Sequence, residues 1–126
     1  VILATGYDSL TGSLVDLNIE DTQGRSLSTK WKQATYTYLG LMIDGMPNAF
    51  LTYSPQAPTS LANGPAIIEV QVDWIVDAIS KMREEGIQQI EPLFEASEKW
   101  RATVQAISDK TLFSQTDSWY VAICLG

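Results

Sequence analysis

The chain has 126 residues, enough for one domain with a real core, and its 45% hydrophobic and 18% charged content places it among globular rather than disordered sequences. A formal net charge of -7 excludes the basic face that nucleic-acid binding needs and a polybasic membrane-surface role, and no segment approaches the ~20 uninterrupted apolar residues of a membrane span. With no histidine, the commonest general base and metal ligand are gone, and the single cysteine, Cys124, excludes an internal disulfide or a multi-cysteine zinc site and fits a reducing, cytoplasmic setting.

The chain opens on the apolar run Val1-Ile2-Leu3-Ala4 with no basic n-region, so a signal peptide is not expected. Val1 to Thr5 reads as a short buried strand stopped by Gly6, and a buried strand at residue 1 implies a piece of something longer. Leu14 to Glu20 alternates, with Val15, Leu17 and Ile19 on one face, and predicts a half-buried strand. Asp21 to Gly24 is a turn, and Ser28 to Lys32 predicts one helical turn carrying Trp31. Thr35 to Met42 and Ala49 to Tyr53 are predicted strands, separated by the loop Gly45-Met46-Pro47-Asn48. Ser54 to Gly64 has two prolines and no periodicity, which predicts a long loop of the kind that carries function.

The clearest helix follows, with Pro65 at its first position and Asn63 or Gly64 as its cap. Ile68, Val72, Ile75, Ile79 and Met82 form its apolar stripe, widened by Ile67, Val70, Trp74 and Ala78; Asp77 and Lys81 are spaced as an ion pair, and Gly86 is a natural stop. Ile87 to Ile90 predicts a short strand, and Pro92 starts a second helix carrying Leu93, Ala96, Trp100, Val104 and Ile107. Trp31, Trp74 and Trp100 fall in apolar patterns and are expected in the core. Thr111 to Gly126 is irregular, and Trp119 within it is either a packing plug or a ligand contact. The predicted fold class is α+β, short strands followed by two main helices, with residues 1–126 forming a single partial domain.

No Gly-x-Gly-x-x-Gly is present, since no two glycines lie two residues apart. Gly40 and Gly45 have P-loop spacing, but Met46-Pro47 follows where Lys-Ser or Lys-Thr is required. Carboxylate pairs such as Glu84-Glu85, or Asp16 with Glu20, read as solvated surface, and no serine has a base beside it. The residues alone therefore reveal no reaction, no catalytic side chain and no metal site.

A resemblance supplies more. Ile2-Leu3-Ala4-Thr5-Gly6-Tyr7-Asp8 is followed by Trp31, Tyr38-Leu39-Gly40 and Pro47-Asn48-Ala49-Phe50. Next come Pro55 to Pro65, Glu69-Val70-Gln71-Val72-Asp73-Trp74-Ile75, Thr111-Leu112-Phe113 and Asp117-Ser118-Trp119-Tyr120. This succession, covering nearly the whole chain, resembles the flavin-dependent Baeyer–Villiger monooxygenases of the cyclohexanone and phenylacetone type, in their C-terminal part. The resemblance implies a piece of a larger α/β flavoprotein with two dinucleotide-binding domains, using FAD, NADPH and dioxygen to insert an oxygen atom beside a ketone carbonyl. The flavin and dioxygen carry the hard chemistry, and the protein supplies position and electrostatics.

It further implies that Asn63 and Gly64 approach the flavin through backbone, and that Thr59, Ser60 and Leu61 line the ketone pocket. Trp119 would contact the nicotinamide cofactor with the flat face of its indole. A plain helix cap is the simpler reading of Gly64. Ser54 stands where the family usually has glycine before proline, and Val121 to Gly126 diverges from the family pattern. Both nucleotide-binding motifs, the family's histidine-containing fingerprint and its active-site arginine have no match here, so the isolated chain is expected to be inactive. Other readings are a truncated, non-catalytic interaction module associating through exposed apolar ends, and a fragment of an N-oxygenating flavin monooxygenase.

Overall fold

A computed structural model of the chain describes residues 1–3, 11–32, 34–57 and 62–115. The elements are helices α1 (Gly12–Asp16), α2 (Leu27–Lys30), α3 (Gly64–Glu85) and α4 (Phe94–Ser108), then a 3-10 turn at Leu112–Gln115. Among the described residues no strand forms, and extended pairing is confined to isolated antiparallel bridges, Glu20 with Ser26 and Tyr38 with Met42. The expectation of strands followed by helices is therefore corrected to helices joined by turn-rich segments.

Each predicted strand fails for a local reason. Within 14–20, the chain turns helical through α1, and Asn18 at φ 51 ends that turn, leaving Leu17 67% exposed. Within 35–42, Leu39 and Gly40 take positive φ in succession (56 and 66), and Tyr38 N–H donates to the Met42 carbonyl at 2.7 Å, so the segment folds back on itself. Residues 49–53 and 87–90 form no strand, and the first of these segments bends at Thr52 and Tyr53, with Tyr53 at φ 52. Val1, Ile2 and Leu3 are exposed and irregular, and residues 4 and 5 of the first predicted strand lie outside the described residues.

The core gathers in the N-terminal half. Leu27, Trp31, Ile43 and Met46 are buried together, flanked by Leu14, Val15, Ile19, Tyr36, Ala49 and Leu51. Ser26 caps α2, its hydroxyl accepting from Thr29 N–H at 3.2 Å, and this delivers Leu27 and Trp31 to the core as expected. The Trp31 indole N–H donates to the Tyr36 carbonyl at 2.9 Å. Trp74 is corrected: it is 36% exposed on α3 and meets Phe50 edge-on, with ring centroids 6.4 Å apart. Trp100 is half-buried, its indole N–H enclosed without a partner.

The long helices are tied to this core at separate points. Tyr36 packs edge-on against Phe94 at the start of α4 (6.5 Å, 83°). Asn48, at φ 59, reaches the α3–α4 connection three times: its N–H donates to the Ile90 carbonyl (2.9 Å), its amide to the Gln88 carbonyl (3.0 Å), and its amide oxygen accepts from Ile90 N–H (3.0 Å). Helix α3 ends at Gly86, at φ 69, where Ile87 N–H donates back to the Met82 carbonyl at 2.8 Å. Helix α4 begins at Phe94, later than Pro92 suggested, and it buries Ser97 while Leu93 and Ile107 stay exposed. The i,i+4 ion pair on α3 is Lys81 with Glu85 (3.9 Å), in place of the expected Asp77 with Lys81.

Candidate functional site

The loop before α3 is held by a buried polar cluster. Thr37 is fully buried; its N–H donates to the Gln56 side-chain oxygen (3.1 Å) and its hydroxyl to the Pro55 carbonyl (2.9 Å). The Thr37 hydroxyl accepts from Gly40 N–H at 3.1 Å. The Gly40 carbonyl accepts from the Ser54 hydroxyl at 2.7 Å and from the Gln71 amide at 3.0 Å. Gln71 completes the link, its side-chain oxygen accepting from Tyr53 N–H at 2.8 Å. Tyr53 and Gln56 sit at positive φ (52 and 66), a conformation that persists only when its surroundings impose it. Gly40 permits the close approach: a Cβ there would stand 2.5 Å from the Ala57 Cβ.

This loop delivers the Tyr53 ring to the start of α3. A Cβ on Gly64 would lie 3.3 Å from Tyr53 Cε2 and 3.4 Å from its hydroxyl. Asn63 is the N-cap in an extended conformation, and its exposed side chain makes no capping hydrogen bond. The first turn holds no acidic residue, so among the described residues no carboxylate of the helix itself meets the positive end of its dipole. Of the residues singled out in the sequence, Asn63 and Gly64 thus stand together at a helix start. Thr59, Ser60, Leu61 and Trp119 lie outside the described residues.

Tyr53 and Gln71 were not picked out by the sequence reading. Gln71 carried a usable signal: the less exposed positions of α3 run Ile68, Gln71, Ile75, Ala78, Met82, at helical spacing of three and four. Tyr53 carried none, because its contact with Gly64 depends on the positive φ of a loop residue.

A second polar cluster, around Asp21, serves the fold. Its carboxylate accepts from Gln23 and Arg25 N–H and from Arg25 Nε, each at 2.9 Å, and Lys30 Nζ stands 3.5 Å away. Burial pushes the Asp21 pKa up, but the backbone and Arg25 hydrogen bonds outweigh it and bring it down to about 2. Lys30 bridges to Asp44, donating to its carbonyl at 2.8 Å and its carboxylate at 2.9 Å. Burial, reinforced by the Asp44 charge, pushes the nearby Tyr36 phenol up to about 12, so it stays neutral across the physiological range.

The sequence and the backbone of this chain have counterparts in known proteins. An FAD-binding monooxygenase of Aspergillus aculeatus is 40% identical over 121 residues, which is 96% of this chain and 20% of that protein. A Baeyer–Villiger monooxygenase of Pseudooceanicola batsensis is 40% identical over 119 residues, 94% of this chain and 22% of that one. The chain is similar to the Baeyer–Villiger monooxygenases. A solved structure of cyclohexanone monooxygenase from Rhodococcus, bound to NADP+, superposes with a TM-score of 0.88 at 34% identity over 96% of this chain and 22% of that one. The chain therefore spans about a fifth of the length of these relatives. No family model matches it. Among the described residues, no helix is long and apolar enough to cross a membrane.

Proposed function

We propose that the full-length protein carrying this segment is an FAD- and NADPH-dependent monooxygenase that converts a ketone to an ester or lactone. The observation that carries the reading is the match of nearly the whole chain to one continuous fifth of Baeyer–Villiger enzymes, in sequence and in backbone. FAD, when bound and reduced by NADPH, supplies the chemistry that activates dioxygen.

In this reading the chain forms one wall of the site. Asn63 and Gly64 face the flavin. The α3 start, with no acidic residue in its first turn and no side-chain cap from Asn63, suits the edge of a flat ring bearing carbonyl oxygens. Thr59, Ser60 and Leu61 line the ketone pocket and help to exclude water, and Trp119 stacks on the nicotinamide cofactor. The protein works in the cytoplasm, where NADPH is at hand. The isolated chain has no turnover, and its exposed apolar side chains, Val70, Leu93 and Ile107 among them, favour association.

The test is product analysis with the full-length protein. A cyclic ketone, NADPH and air should yield the lactone, with one NADPH consumed per oxygen inserted. Oxygenation of an amine and not of the ketone would move the protein to the N-oxygenating flavin monooxygenases.

A further inference from the structure

We infer that Gln71 is a positioning residue for the flavin-side loop, and that Ser54 is a second pin on the same carbonyl. The inference rests on the reading of Asn63 and Gly64 as a flavin wall. Gln71 is the buried residue of α3, about two turns beyond Gly64. Both ends of its side chain are used, the oxygen by Tyr53 N–H at 2.8 Å and the amide by the Gly40 carbonyl at 3.0 Å. Only a side chain with a donor and an acceptor side by side can do this.

The geometry matters because one helix carries both parts. Gly64 presents the wall, and Gln71 grips the loop whose Tyr53 ring lies on that wall. The spacing of loop and wall is thereby set within one rigid element. The loop would not keep this shape unaided, since Tyr53 and Gln56 both hold positive φ. Ser54 adds a donor to the Gly40 carbonyl at 2.7 Å that a glycine there would not give. Thr37 fixes the far end through Pro55 and Gln56.

The test uses the full-length flavoprotein with Gln71→Met, which removes both bonds at similar volume, Gln71→Glu, which keeps the acceptor, and Ser54→Gly. Two quantities are read: amide hydrogen exchange of residues 51–57, and the share of NADPH oxidised without oxygenated ketone. For Gln71→Met, exchange should rise roughly tenfold, as for loss of a buried hydrogen bond. Uncoupled NADPH oxidation should rise several-fold with FAD per chain unchanged. Gln71→Glu, which sets a carboxylate oxygen against the Gly40 carbonyl, should move both quantities at least as far, and Ser54→Gly should move both less, in the same direction. Should Gln71→Met fail to fold, Ser54→Gly decides by the same readings. Unchanged exchange overturns the pin. Faster exchange with unchanged coupling makes Gln71 merely structural and overturns the positioning role. An unsubstituted protein that oxygenates no ketone defeats the functional reading before any variant is compared, while the exchange measurement still decides the pin.

Discussion

Gly40 and Gly86 share a backbone conformation, at φ 66 and 69, but not a neighbourhood. A Cβ on Gly86 meets nothing within 4 Å, so Gly86→Ala should cost only the left-handed penalty, about 1–2 kcal/mol. A Cβ on Gly40 meets Ala57 at 2.5 Å, and the added overpacking should bring Gly40→Ala to about 2–5 kcal/mol. Urea denaturation of the two variants measures the gap, and equal losses would refute the close contact of Gly40 with Ala57. Asp21 adds a dependence on pH. Its folded pKa, about 2, lies below the ordinary carboxylate value, so its stabilisation is complete above about pH 5 and is lost as pH falls towards 2. Thermal melts of Asp21→Asn should show a shallower loss across that window than the unsubstituted chain. The same acid slope in both would mean that Asp21 is not the group responsible.

Helix α3 was readable from the sequence almost to the residue, because its signals are local: Pro65 at the start, Gly86 at the end, and apolar spacing of three and four between. Which stripe is covered was less readable. Val72 and Ile79 belonged to the expected stripe but are each 42% exposed, while Gln71 is buried, since the loop needs its amide more than the core needs another methyl group. In the isolated chain, Ile75→Ala should therefore cost more stability than Val72→Ala, by about 1 kcal/mol from the difference in apolar area lost. An equal or reversed cost in denaturant titration would restore the expected stripe. The strands misread because alternation and β-branching record side chains suited to a half-buried surface, not the presence of a partner strand. Residues 35–42 show this: Thr37 and Met42, five apart, would lie on opposite faces of a strand, yet both are buried because Leu39 and Gly40 turn the backbone in between. The helix start at Asn63 and Gly64 was readable. The clasp behind it was not, because it depends on contacts between residues 14 to 31 positions apart, Ser54 with Gly40 and Gln71 with Gly40.

The molecule as a whole joins a small N-terminal core to two long helices that leave much apolar surface uncovered, including Val70 at 71%, Val76 at 54% and Leu93 at 71%. The relatives are about five times longer, and in the proposed reading this segment's share of the site is a wall. The purified 126-residue chain is accordingly expected to carry no flavin absorption band, and a yellow chain would show that the segment binds the cofactor by itself. The most direct test of the wall is the visible spectrum and FAD content of the full-length protein with Gly64→Val. Gly64 has no positive φ to protect, but the atoms nearest a new Cβ are those of the Tyr53 ring at 3.3–3.4 Å, so Tyr53→Ala is measured beside it to separate displacement of that ring from a change at the α3 start. The expected result is a shifted flavin band and less FAD bound per chain. A spectrum and an FAD content identical to those of the unsubstituted protein would contradict a flavin lying against Asn63 and Gly64.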